Sequence, residues 1–274
     1  MVKMVGECFQ IMTPIDGEDI LRRIEEAGRT CYQSNHKVGM YCIKCGVPVQ
    51  HVGSCCDDEK ECPQCKDTTY DLKLKMEPSS HVFVRNILKR GHESVLEHVN
   101  ITVRFITNRG MTHELVRHRL AAYSQESTRF CDYHGDKFGN EITVIDQREY
   151  IMDHMAKPGH EHSSISDTKD CANSGCATCQ KTMHAISDWT MAMACCEDSY
   201  KKLRDAGLPP EVARGVLPND LKTDIVVTMN LREWRHVFKL RTAKAAHFNI
   251  RTLMRDLCTA FKNQIPIIFD DVTW

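Results

Sequence analysis

The sequence predicts a mixed fold of helices and strands with a small cysteine-rich insertion, and three observations carry that reading. Ile101, Val103 and Phe105 alternate with Thr102 and Arg104, as in a strand with one buried face. Ile186, Trp189, Met193, Cys196 and Tyr200 recur at helical spacing, as on one side of a long helix. Cys42-x-x-Cys45 and Cys62-x-x-Cys65 are two knuckles separated by 16 residues, a spacing that closes a tetrahedral zinc site.

At 274 residues the chain exceeds the common domain size yet is short for two full domains, and it reads as one domain over residues 1–274. The formal charge is -1, so any anion site is local, and no global field argues for a nucleic-acid partner. No stretch reaches the roughly 18 apolar residues of a membrane span. The N-terminus lacks the long apolar core of a signal peptide, and both absences lead us to expect a soluble cytoplasmic protein. Fifteen cysteines are many for that compartment, where metal binding or free thiols are expected before disulfides.

In order, residues 2–12 are expected to open a strand. Residues 14–27 form a helix with Ile20, Leu21 and Ile24 on one side and Gly28 as its stop. Residues 40–70 are the insertion, with Cys42, Cys45, Cys62 and Cys65 as zinc ligands and His51, Cys55 and Cys56 as possible substitutes. A zinc ribbon can bind nucleic acid or protein, or can simply fold an insertion too small to hold a core; its near-balanced charges favour the simpler role. A helix from Pro78 to Gly91 carries Val82, Phe83, Ile87 and Leu88, and residues 100–107 are the alternating strand.

The stretch at 111–130 concentrates the chemistry. Arg117, His118 and Arg119 are consecutive on a segment whose composition suits a helix. Successive helical residues stand 100° apart, so the three fan over more than half the circumference and suit ligands on two sides. Beyond them, Ser124, Ser127 and Thr128 with the fork-shaped Arg129 are equipment for holding a phosphate. An ordinary charged helix end followed by a polar loop is the alternative.

Residues 141–145 are read as a short strand and 157–180 as a loop. In that loop Cys171, Cys176 and Cys179, with His160 and His162 nearby, leave a second metal site open, since only one CxxC is present. A long helix follows at 183–206, its Met and Cys stripe read as core. Residues 223–230 are β-rich and 232–242 helical. In the latter, Trp234, Phe238 and Arg241 stand at i, i+4 and i+7, so a guanidinium projects from an apolar stripe. A cation there needs a partner: an acidic core residue, solvent, or the substrate.

Arg117-His118-Arg119, seven residues, then Ser127 resembles the signature of flavin-dependent thymidylate synthases. Thr112 to Val116 and Tyr123 to Arg129 are similar to that family's flanking segments. So are Gly91-His92-Glu93-Ser94-Val95-Leu96-Glu97-His98, the run Leu208 to Pro218, and Asn230-Leu231-Arg232. The resemblance implies an α+β fold, a twisted, mainly antiparallel sheet with flanking helices, assembled as a homotetramer with sites at subunit interfaces. It implies methylation of dUMP to dTMP, with methylenetetrahydrofolate as carbon donor, NADPH as reductant and FAD delivering hydride. It assigns Glu114, Arg117, Gln125, Glu126, Ser127, Thr128, Arg129, Arg214 and Arg241 to dUMP, with Arg241 activating the uracil. Ser94, Arg117, His118, Arg119, Gln125, Asn230, Arg232 and His236 fall to FAD, and His92 to the folate vicinity. The run Lys244 to Arg251 departs from the family pattern, with His247 in place of a customary Gln and Ala245 where a ligand-facing His is common. Glu114 stands where Gln is frequent and keeps an acceptor. A zinc-ribbon nucleic-acid binder and a flavoprotein oxidoreductase with another substrate are the alternatives.

Overall fold

The computed structural model of the protein describes residues 2–42, 48–49 and 76–274. Strands β1 (Lys3–Val5) and β2 (Cys8–Ile11) precede helix α1 (Gly17–Thr30). Strands β3 (Met40–Cys42), β4 (Pro48–Val49) and β5 (Met76–Pro78) lead into α2 (Ser79–Lys89), a 3-10 segment Glu93–His98 and strand β6 (Asn100–Asn108). Then come α3 (Arg109–Leu115), β7 (Ala121–Gln125), β8 (Thr143–Ile145), α4 (Arg148–Met155), α5 (Ile165–Asn173), α6 (Ala177–Asp205) and α7 (Pro210–Ala213). Strand β9 (Lys222–Asn230) passes directly into α8 (Leu231–Arg241), and α9 (Phe248–Gln264) closes the series. Among the described residues the strands form a four-stranded sheet ordered β2-β6-β9-β7, a three-stranded antiparallel sheet ordered β4-β3-β5, and a parallel pair β1-β8. The α+β class and the flanking helices are as expected. Two compact units divide the chain, the first comprising residues 1–10, 104–117 and 123–227 and the second the remainder.

In the first unit, Val2, Tyr133, Ile142, Val144, Met193, Tyr200, Ala213 and Leu221 form one buried cluster. Helix α6 supplies Met193 and Tyr200, with Trp189 and Cys196 packed beside them, so the stripe read from the sequence is core. Asp132 ties the loop after β7 to this helix. It accepts from Arg204 Nη2 at 2.7 Å and from the Tyr200 hydroxyl at 3.0 Å. The Arg204 guanidinium, above all, holds the Asp132 carboxyl down at about 2, while burial and then Asp132 push the Tyr200 phenol up to about 12.

The second unit centres on Trp234, Phe238, Phe261 and Phe269, all fully buried, with Phe238 and Phe261 touching each other and both of the other rings at centroid distances of 5.4–5.6 Å. Each such ring withdrawn from water stabilises the fold by about 1.5–3 kcal/mol. Helix α1 starts at an Asp16 cap that accepts from the Asp19 amide at 3.0 Å and packs Ile20, Leu21 and Ile24 inward. A buried Glu25–Arg29 pair at 2.7 Å is completed by the Ser79 hydroxyl donating to Glu25 at 2.8 Å.

Several local expectations are corrected. Gly28 does not stop α1 but lies inside it: a Cβ there would stand 2.4 Å from Phe83 Cζ, so glycine is required by the close approach of α1 to α2. The opening strand is two short strands. Residues 165–173, read as loop, are helical, opened by a Ser164 cap that accepts from the Asp167 amide at 3.1 Å. The helix expected through residues 117–122 ends at Leu115. Residues 116 and 117 form a turn, and residues 117, 118 and 119 are exposed, buried and exposed before β7 begins at Ala121. The basic triplet therefore does not fan around a helix: it lies in the turn and connection between α3 and β7.

Candidate active site

The first unit carries most of the residues expected to meet the nucleotide. Asn108 caps α3, accepting from the Met111 amide at 2.7 Å, and its own amide donates to Asp220 at 3.1 Å. Glu114 and Arg117 are both exposed at and just beyond the end of that helix. Gln125 Nε2 donates to Thr112 and Thr223 hydroxyls at 3.0 and 3.2 Å, which fixes the side-chain amide against α3 and β9. The Glu126 carboxylate is engaged internally, accepting from the Tyr133 hydroxyl and from Lys222 Nζ, both at 2.8 Å. Burial and then Glu126 push the Tyr133 phenol far above its ordinary range, so Tyr133 stays a donor.

After Glu126 the chain turns tightly: the Cys131 amide donates to the Ser127 carbonyl at 2.8 Å, and Ser127 Oγ accepts from the Arg129 amide at 3.3 Å. Thr128 is buried and Arg129 exposed. No base hydrogen-bonds to the Ser127 hydroxyl among the described residues, so it lacks the activation a nucleophile requires. Arg129 pairs with Glu211 at 3.3 Å, with side chains 59% and 53% exposed. An exposed pair of this kind is worth about 0–1 kcal/mol, which a phosphate can readily exchange. Arg214 is exposed in the 3-10 turn following α7, three residues beyond Glu211.

The second unit carries the remainder. Asn230 ends β9 and caps α8, accepting from the Glu233 amide at 2.8 Å. That cap fixes the first turn of α8 and turns Glu233 inward. His118 is buried and lies between two α8 residues: Arg241 Nε donates to its Nε2 at 2.9 Å, and its Nδ1 faces Glu233 Oε1 at 3.7 Å. A guanidinium only donates, so Nε2 carries the lone pair and Nδ1 the proton. Half-buried Arg241 thus takes an imidazole as the partner its place in the sequence demanded. His236 meets the His118 ring edge-on with centroids 5.8 Å apart. His118, Glu233 and His236 bring ligand atoms within 4.8 Å of one another, but the cation on His118 Nε2 makes this trio a poor divalent-metal site.

On the same unit, Ser94, Arg119, Arg232 and His236 are exposed. Arg232 pairs with Glu97, whose hydrogen bond raises its pKa. Glu93 instead accepts from buried Arg235, which also pairs with Asp271 at 2.7 Å. Burial opposes the Arg235 charge, yet the hydrogen bond and charge of Asp271, with Glu93, outweigh it and hold its pKa above the usual value. A cavity of about 540 Å³ is lined by Tyr32, Lys37, Tyr41, Phe83, Arg90 and His92, among others.

Cys42 is buried at the end of β3, whereas Cys45, Cys62 and Cys65 lie outside the described residues. Sequence reasoning missed Glu233; its signal was the helix-start pattern Asn230-x-x-Glu233, in which an asparagine cap precedes a third-position glutamate. It also missed Asp220, Thr223 and Lys222, which act across long sequence separations.

Over residues 15–267 the chain matches the family described as "Thymidylate synthase complementing protein". It is 36% identical over 203 residues to a flavin-dependent thymidylate synthase of Geobacter sulfurreducens, covering 73% of each chain. To the flavin-dependent thymidylate synthase of Pyrococcus furiosus it is 35% identical over 166 residues, 60% of this chain and 55% of that one. Its fold is similar to that of a UMP/dUMP methylase, PolB of Streptomyces cacaoi, solved with 5-Br UMP, with a TM-score of 0.62 over 98% of this chain and 95% of that one at 17% identity.

Proposed function

From the premise that this chain belongs to the flavin-dependent thymidylate synthases, an enzyme family, we propose that it methylates dUMP to dTMP. Methylenetetrahydrofolate donates the carbon and NADPH the reducing equivalents. The uracil C5 hydrogen leaves as a proton, the one-carbon unit takes its place, and a hydride completes the methyl group. When bound, FAD supplies that hydride, so no cysteine nucleophile is needed.

The observation that carries the proposal is the chain Arg241–His118–Glu233. It orients a half-buried guanidinium at the end of α8 through its Nε, on a helix also lined by exposed Arg232 and His236. Arg241 is assigned the uracil ring, whose ionised form a neighbouring cation favours. Arg117, Gln125, Ser127, Thr128, Arg129 and Arg214 are assigned to the nucleotide, with Glu114 accepting from a sugar hydroxyl. Glu126 acts by holding the turn that presents Ser127 to Arg129.

FAD fits the second unit's donors: Arg119 and Arg232 suit its diphosphate, and Ser94, Asn230 and His236 suit its ring and ribose groups, while buried His118, whose nitrogens face Arg241 and Glu233, acts by holding Arg241. The aromatic and cationic cavity beside His92 suits a flat ring bearing carboxylates, which supports His92 as a folate contact. Four subunits are expected, with sites completed at their interfaces. Cys42, Cys45, Cys62 and Cys65 are assigned a structural zinc that folds the 40–70 insertion; their thiolates match the tetrahedral shell.

The test is product analysis with purified protein, dUMP, FAD, methylenetetrahydrofolate and NADPH. We expect dTMP and loss of tritium from dUMP labelled at C5, both abolished when folate or NADPH is omitted. Flavin bound without measurable dUMP affinity would instead mark an oxidoreductase with another substrate.

A further inference from the structure

Outside the proposed active site, four soft ligands converge in the first unit. His160 Nδ1 lies 3.3 Å from Cys176 Sγ, and one ligand atom from each of His160, Cys171, Cys176 and Cys179 lies within 4.8 Å of the others. They sit on different elements: His160 in the turn after α4, Cys171 in α5, Cys176 as the α6 cap and Cys179 in the first turn of α6. The backbone makes the approach. Gly175, at φ +98°, reverses the chain between the helices, and the Cys176 amide donates to the Cys171 carbonyl at 3.3 Å. Zn–S bonds of about 2.3 Å in a tetrahedron put sulfurs roughly 3.8 Å apart, so these ligands converge on one ion with small shifts.

We propose that His160, Cys171, Cys176 and Cys179 form a structural zinc site that pins α5 onto the start of α6. Three thiolates and one imidazole make a closed soft shell with no position for substrate, the pattern of structural and not catalytic zinc. The segment also needs such a staple. In α5 only Thr168 and Ala172 are buried, too little apolar surface to hold a nine-residue helix in place. His162 completes the arrangement as an outer-shell donor, its Nε2 lying 3.2 Å from Cys179 Sγ, where an N–H directed at a coordinated thiolate orients the ligand. A CxxC across a helix start also suits a redox pair, but a third thiol and an imidazole at the same point favour a metal.

The experiment uses tag-free, full-length protein and counts zinc per chain by elemental analysis. Cys171→Ser combined with Cys176→Ser should lose about one zinc per chain relative to the unsubstituted protein. Cys195→Ser, at an exposed α6 position, should lose none. Any zinc held by the 40–70 insertion is common to all samples and cancels in the difference. Equal zinc in the double variant and the parent overturns the proposal, as does iron in its place. If the double variant does not fold, alkylation mapping on the parent decides. Cys171 and Cys176 should resist iodoacetamide until a chelator is added, while Cys195 reacts throughout. Reaction unaffected by chelator, or a Cys–Cys mass loss of two hydrogens, overturns it.

Discussion

At the scale of single residues, the account turns on how one buried imidazole sets a neighbouring guanidinium. His118 accepts from Arg241 at 2.9 Å and faces Glu233, so its tautomer and the direction of Arg241 are fixed together. A pKa shift of about two units on the uracil corresponds to roughly 3 kcal/mol, or about a hundredfold in rate. Arg241→Ala should therefore slow the reductive step about a hundredfold at saturating dUMP. Arg241→Lys, which keeps the charge but loses the fork, should recover little of it. Separate dUMP titrations check the split: a variant that only binds dUMP more weakly would make Arg241 a clamp. Arg119→Ala should lower FAD occupancy more than Ser127→Ala, read from the flavin absorbance of purified protein; equal losses would contradict the division of ligands. That Arg241 needs a polar partner was legible in the sequence, because it stood out from an apolar stripe. Its partner was not, since 123 positions separate Arg241 from His118 and no local spacing connects them.

At the scale of elements, local propensity explains both the successes and the failures. Strand β6 and helices α6 and α8 were legible because each buries one face and repeats it for several turns or pleats. Residues 117–122 were misread because their composition suits a helix. The chain instead turns at 116–117 and enters β7 at Ala121, at the edge of the β2-β6-β9-β7 sheet, and pairing of that kind overrides a helical preference. Gly28 was misread for a related reason, since its role is set by Phe83, 55 residues away. Gly28→Ala should destabilise the protein by about 1–3 kcal/mol through overpacking, measured by chemical denaturation; an unchanged midpoint would show that Phe83 yields. The Asp132–Arg204 tie predicts a pH dependence. Asp132 titrates at about 2 in the folded protein against roughly 3.9 when unfolded, so its contribution is complete above about pH 4. That contribution is lost as pH falls through 2. Its side chain is about a third exposed, which reduces the contribution to about 1 kcal/mol. Asp132→Asn should cost that much at pH 7 and flatten the acid limb of stability; identical acid limbs would contradict the assignment.

At the scale of the whole molecule, the mixed fold and the family were both legible because the motifs occur in order along most of the chain. The three thiols after residue 170 were legible in the sequence only as an open possibility beside His160 and His162, because their convergence depends on a glycine reversal between two helices. No helix among the described residues is long and apolar enough to cross a membrane. The central claim is that the flavin gives up its electrons to a carbon being installed on dUMP. Anaerobic single-turnover oxidation of the reduced flavin tests it most directly, with folate saturating and dTMP quantified. The account predicts oxidation that requires dUMP and yields about one dTMP per flavin, slowed about a hundredfold by Arg241→Ala. Oxidation at the same rate without dUMP, or dUMP-dependent oxidation without dTMP, would contradict it.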